Sequence, residues 1–233
     1  MEKLLEKKTA IVTGAANGVG QIISQKFSEE GANLILADMD ESNLKKEADL
    51  IRKSGSHVEI FCGDLRQNLT IKNLLALSTK TFKNIDILVN ASRQVTISHP
   101  LDSDNMFFEE LMSQNVGVNL KLSRAVAKKM IAQNVSRPES GNTIGSIVNL
   151  SSIASHRTLP DTLAYSVSSA ALDQLTKSMA ISLAESKIRV NAVAIGSVMS
   201  SSLRAKLAKN KFVLEDLIAA TPLGRLGEAS EAA

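Results

Sequence analysis

Short apolar runs alternate along this chain with longer stretches in which apolar positions recur at helical spacing. A brief apolar run bounded by turn residues fits a buried strand, and a period near 3.6 over a dozen residues fits a helix with one covered face. The runs predict strands near 9–13, 33–38, 57–62, 85–91, 146–151 and 188–195. The helical segments between and after them fall near 18–30, 41–54, 67–83, 104–133, 162–186 and 200–220. Strand–helix alternation of this kind defines βαβ units, so an α/β domain with a doubly wound parallel sheet is expected. The 233 residues suffice for one large core, show no internal repeat, and give no sign of a second domain. Arg137 to Asn142, with its Pro and Gly, reads as an ordinary loop before the fifth strand.

The first strand-to-helix turn carries the strongest chemical signal. Thr13-Gly14-Ala15-Ala16-Asn17-Gly18-Val19-Gly20 puts three glycines between an apolar run and a helical one. A helix N-terminus has unpaired N–H groups and a partial positive charge, and residues without side chains let a pyrophosphate approach them. Asp38 ends the second apolar run, 18 residues after Gly20 (38 − 20). A carboxylate there is placed to accept hydrogen bonds from an adenosine ribose. It would repel a 2′-phosphate, and neither Asn17 in the turn nor Met39 beside Asp38 carries a positive charge to attract one. NAD(H) is therefore expected over NADP(H).

The spacing Gly-x-x-x-Gly-x-Gly after Thr13 resembles the short-chain dehydrogenase/reductase family, and further landmarks extend the likeness from about Lys8 to the last residue. Asp64-Leu65 matches the segment of the family's adenine-contacting Asp, and Asp86-Ile-Leu-Val-Asn90 its fourth strand. Ile147-Val-Asn-Leu-Ser-Ser152 and Tyr165 match the segments that carry the catalytic Ser and Tyr, and the 13-residue separation (165 − 152) selects Ser152 over Ser151. Ile188 to Gly196 resembles the sixth strand and its turn, and Thr221-Pro-Leu-Gly-Arg-Leu-Gly227 the approach to the last helix. The resemblance implies a single-domain Rossmann-type fold with strand order 3-2-1-4-5-6. It implies cofactor contacts from Thr13, Gly14, Asn17, Gly18, Val19, Gly20, Asp38, Asp64, Leu65, Asn90, Tyr165 and Gly196. It also implies catalysis by Ser152, Tyr165 and Asn115, the last in a proton relay, with Asn119 the alternative for that role. The family continues beyond the equivalent of Ala233 through a last helix and a seventh, edge-covering strand, and it forms homodimers or homotetramers.

Two positions depart from the pattern. A free phenol ionises near pH 10, so a tyrosine base needs positive charge beside it. The family provides a lysine four residues after the tyrosine, one turn along the same helix face. Here that position is Ser169, and Lys177 lies twelve residues past Tyr165, too far along a helix to substitute. The family's Asn-Asn-Ala-Gly reads Asn90-Ala-Ser-Arg93, so a glycine that lets backbone pass close to the cofactor has become arginine. Arg93 is expected to turn toward solvent; the alternative is that its guanidinium supplies the charge that Ser169 lacks. Replacing Ser169 by lysine is expected to raise turnover or tighten NADH binding.

Composition narrows the remaining possibilities. The chain is 44% hydrophobic and 22% charged with a net charge of +3, and its basic residues are not interleaved with aromatics, so nucleic acid is not an expected partner. Apolar runs are too short to span a bilayer, and Met1 to Lys8 lacks the apolar core of a secretory signal, so a cytoplasmic protein is expected. Cys62 is single and reads as a small core residue, and His57, His99 and His156 have no partners at metal-ligand spacing, so no metal site is expected. His156 and Arg157 lie between Ser152 and Tyr165, and 197–220 reads as a lid whose Arg204, Lys206, Lys209 and Lys211 form a solvated face. The leading expectation is an NAD(H)-dependent oxidoreductase that interconverts a small-molecule alcohol and carbonyl with an altered catalytic site. The alternative is a dinucleotide-binding relative whose chemistry has lapsed and whose role is structural or regulatory.

Overall fold

The computed structural model describes residues 3–96, 101, 106–136, 143–158, 160–199, 203–204 and 212–233. The apolar runs become strands β1 (Thr9–Thr13), β2 (Asn33–Asp38), β3 (Val58–Cys62), β4 (Ile87–Asn90), β5 (Gly145–Ser152) and β6 (Ile188–Ile195). They pair in parallel in the order β3-β2-β1-β4-β5-β6, the order expected. Successive residues of a strand face opposite sides of the sheet. Ile11 and Ile35 accordingly join one core with Leu74, Leu122 and Ile147. Val12, Leu34 and Leu36 join the other with Ile23, Leu44 and Val89. A strand buried on both faces must be apolar throughout, which is why β1 and β2 read as continuous runs.

The first face is covered by α3 (Asn68–Phe82), α5 (Val118–Ser136) and α6 (Leu163–Leu183), and the second by α1 (Gly18–Glu29) and α2 (Glu41–Lys53). The helix expected over 104–133 is compound. A seven-residue α4 (Met106–Met112) runs through a π-helical turn, Ser113–Gly117, into α5. Of the segment expected as a helix over 200–220, α7 (Phe212–Ala219) is helical, while 200–202 and 205–211 lie outside the described residues. His99, Lys206, Lys209, Lys211 and the 137–142 loop lie outside them too. A small pair, β7 (Val198–Met199) with β8 (Gly227–Glu228), was not anticipated. Cys62, expected in the core, is exposed, because β3 is the outer strand and Cys62 is its last residue. At the opposite edge, Asn191 to Ala194 of β6 are exposed. No described helix is long and apolar enough to cross a membrane.

A buried polar ladder ties the middle of the sheet to its helices. Asn90 Nδ2 donates to Asn149 Oδ1 (2.8 Å) and to Ser123 Oγ (3.0 Å). Asn149 Nδ2 donates in turn to Thr176 Oγ1 (2.8 Å), whose hydroxyl bonds the Leu172 carbonyl (2.8 Å). Burial makes each of these groups costly to leave without a partner. Asn149→Ala should therefore lower unfolding free energy by about 1–3 kcal/mol, read from urea denaturation, while an exposed control such as Ser182→Ala changes it little.

Candidate active site

The turn from β1 into α1 is built for close approach. Gly14 has φ +65°, and a Cβ there would lie 2.8 Å from the Ser92 backbone. A Cβ on Gly20 would collide with the Gly14 carbonyl, and Gly18 also has positive φ (+61°). Asn17 caps α1 in an extended conformation with its side chain unused by the cap, so the first-turn N–H groups stay open to an anion. Gly14, Asn17, Gly18, Val19 and Gly20 line a cleft of about 260 Å³ together with Asp38, Ser92 and Arg93.

Asp38 is held by backbone. Its Oδ2 accepts from Ala16 N (3.1 Å), and its Oδ1 from Met39 N (2.7 Å) and Asp40 N (3.2 Å). This fixes a carboxylate at the cleft wall, where it retains lone pairs for a ribose hydroxyl. Asp64 is paired with Arg66, whose Nε and Nη2 lie 2.9 Å from its two oxygens, and that guanidinium holds the Asp64 carboxyl below the usual carboxylate range. The Leu65 side chain packs into the core on the α3 side. Gly196, at the end of β6, is exposed.

Two residues expected at the cofactor commit their side chains to the scaffold. Asn90 turns its side chain inward, into the buried ladder, because its strand position faces α5 rather than the cleft. Thr13 is buried, and its Oγ1 accepts from the N–H groups of both Ala91 and Ser92 (3.1 Å each). It clasps the exit of β4 against the exit of β1.

That loop carries Arg93. The expectation that Arg93 turns to solvent does not hold: the residue is half-buried, and its Nη1 donates to the Tyr165 hydroxyl (2.9 Å) and to the Ser151 carbonyl (3.0 Å). Thr13 fixes the backbone before Arg93, and Asn115 fixes it after. Asn115 Oδ1 accepts from Gln94 N (2.8 Å) and its Nδ2 donates to Gln94 O (2.9 Å) and Ser168 Oγ (3.2 Å). The carbonyl of Asn115 accepts from Asn119 Nδ2 (2.8 Å). Sequence reasoning found Asn115 but missed its partner, Gln94, whose backbone carries no side-chain signal.

Tyr165 lies buried in the first turn of α6, and Ser152 ends β5. Ser152 Oγ accepts from Ala154 N (3.1 Å), which leaves its own O–H available to donate. Ser169 shares the helix face of Tyr165, but its hydroxyl bonds back to the Tyr165 carbonyl (2.8 Å). It thus offers nothing to the phenol. Among the described residues no group of His, Cys, Asp or Glu could hold a metal ion.

Fold and cleft define a class: a doubly wound α/β protein with a glycine-rich turn opening the first crossover helix and a buried tyrosine in the first turn of α6. Residues 14–233 match the family model described as enoyl-(acyl carrier protein) reductase. An uncharacterized oxidoreductase of Thermotoga maritima is 31% identical, over 97% of this chain and 87% of its own length. The solved structure of NAD+-bound xylitol dehydrogenase superposes with a TM-score of 0.88 at 27% identity, over 99% of this chain and 90% of that one. A putative NAD(P)-dependent gluconate 5-dehydrogenase from Beutenbergia cavernae, with bound NADP, gives 0.87 at 25% identity, over 100% and 88%. This chain belongs to the short-chain dehydrogenase/reductase family and is an oxidoreductase of that family.

Because Gly14 combines positive φ with backbone contact, Gly14→Ala should push the β4 exit away. The expected result is loss of NADH binding in fluorescence titration, together with a stability loss of roughly 1–3 kcal/mol in urea. Gly55→Ala, with positive φ but open space around it, should lose stability without losing binding.

Proposed function

We propose that the chain is an NAD(H)-dependent dehydrogenase/reductase that interconverts a secondary alcohol and a ketone. The observation that carries this reading is Arg93, which lines the nucleotide cleft and touches the Tyr165 hydroxyl. The phenol therefore lies within one side-chain length of the cleft that Gly14, Gly18, Gly20 and Asp38 form. The turn would hold the pyrophosphate, and Asp38 the adenosine ribose.

When bound, a nicotinamide dinucleotide supplies a two-electron hydride acceptor or donor. The chain's own task is the proton. In oxidation, the ionised Tyr165 oxygen takes the alcohol O–H proton while the carbinol C–H bond gives up its hydrogen and electron pair as hydride. The carbon–oxygen bond becomes a carbonyl, and the tyrosine is left as a neutral phenol. Reduction runs the same exchange backward. Ser152, with its O–H free, donates to the substrate oxygen and fixes its position. Xylitol and gluconate, in the names of the two solved relatives, make polyhydroxylated secondary alcohols the first class to try. A cytoplasmic assembly of two or four copies completes this reading, on the family resemblance.

Tyr165→Phe should lower turnover on a responsive polyol by about 100-fold or more while NADH affinity stays within a few-fold. Equal turnover in the variant would remove Tyr165 from the chemistry. NADH should bind at least about tenfold more tightly than NADPH in calorimetric titration, and Asp38→Ala should narrow that gap by weakening NADH and admitting the 2′-phosphate. Tighter binding of NADPH to the parent would overturn the assignment of Asp38.

A further inference from the structure

Among the described residues, Arg93 is a cation in contact with a phenol and with no carboxylate. One nitrogen, Nη1, donates to the Tyr165 hydroxyl and the neutral Ser151 carbonyl. A guanidinium keeps its charge at any working pH. Its bond to the phenol oxygen strengthens as that oxygen becomes negative, since a charged donor and a charged acceptor form a stronger pair than a charged donor and a neutral one. The backbone around it is clamped on both sides, by Thr13 at Ala91 and Ser92 and by Asn115 at Gln94.

We propose that Arg93 is the cation of this active site: it stabilises the negative charge on the Tyr165 oxygen while the tyrosine proton is away, in place of a lysine at position 169. The proposal rests on the alcohol–ketone reading for its purpose, since a phenolate is useful here only as the partner of a substrate hydroxyl. The Tyr165 and Ser151 bonds use the two N–H groups of Nη1, so three remain on Nε and Nη2, and Arg93 lines the cleft. Ser169 fits the assignment, because a lysine there would bring a second cation to the same oxygen.

The sequence makes the test direct. The chain has one tyrosine and no tryptophan, so the ultraviolet absorbance of tyrosinate reports Tyr165 alone. Alkaline titration of the cofactor-free protein should show tyrosinate appearing at higher pH in Arg93→Ala than in the parent, with about tenfold less of it at a given pH below the transition. Arg93→Gln keeps a donor without the charge, and it should behave like Arg93→Ala; it also serves if the alanine variant folds poorly. Because Arg93 already touches the phenol, the gain expected from the sequence for Ser169→Lys should be absent in the parent, but the substitution should restore the titration in the Arg93→Ala background. Superimposable titrations of the parent and both neutral variants, with unchanged circular dichroism, would overturn the proposal, as would a parent-like Arg93→Gln. The measurement needs neither cofactor nor substrate. If the titration shifts but no alcohol or ketone turns over, the charge assignment stands and the alcohol–ketone reading falls; turnover with an unmoved titration sinks only Arg93.

Discussion

The site depends on one close contact, between the exit of β1 and the exit of β4. These strands are neighbours because the sheet order reverses between them, and Thr13 stands opposite Asn90 in the register. Gly14 lets the two backbones meet, since any side chain there would overlap Ser92 and would also have to adopt a left-handed conformation. Thr13 then locks the approach with two hydrogen bonds from a single hydroxyl oxygen. The cleft floor, the mouth of the glycine turn and the direction of Arg93 all follow from this contact. A change of an ångström here would be felt at the phenol, because positioned groups lose their effect steeply with misplacement.

From that contact the cation comes to Tyr165 from a loop and not from its own helix. A lysine one turn along α6 would reach the phenol by helix geometry alone, with the register guaranteed by the backbone. A loop arginine has no such guarantee and needs its own framework. The π-helical turn at Ser113–Gly117 supplies part of it: the widened turn presents Asn115 to both backbone groups of Gln94. Asn115 thus holds the segment that aims Arg93, while its carbonyl is occupied by Asn119. Thr13 on β1, Asn115 in the π turn and Tyr165 on α6 converge on residues 91–94.

Most of the scaffold was legible because the signals were local. Continuous apolar runs marked strands buried on both faces, and the glycine turn announced the first crossover before any tertiary contact was known. Tyr165, Ser152 and Asp38 could be picked out because each sits at a fixed offset from such a signal. The direction of Arg93 could not be read the same way. It depends on a clasp from Thr13, eighty residues earlier (93 − 13), and on a phenol seventy-two residues later (165 − 93), and neither contact leaves a pattern around position 93. Exposure is the ordinary state of arginine, so residue type argued the wrong way. The side-chain direction of Asn90 was equally hidden: strand alternation turns it into the ladder with Asn149. The pairing of β7 with β8 joins two-residue segments, too short for any periodicity to show.

The two departures from the family pattern are better understood as one change. Consider the four combinations at positions 93 and 169. Glycine with lysine gives one cation from the helix, and arginine with serine gives one from the loop. Arginine with lysine would crowd two like charges onto a single oxygen, a repulsion of roughly 1–4 kcal/mol at contact depending on solvent access. Glycine with serine would leave the phenol with none. Only the first two combinations give a phenol one positive neighbour, and this chain holds the second of them. Ser169 completes the exchange by bonding its hydroxyl back to the Tyr165 carbonyl, so a small buried polar group is satisfied without intruding on the space the guanidinium occupies. Loss of the helical lysine therefore does not by itself argue that the chemistry has lapsed, because the charge requirement is met from the other side of the cleft.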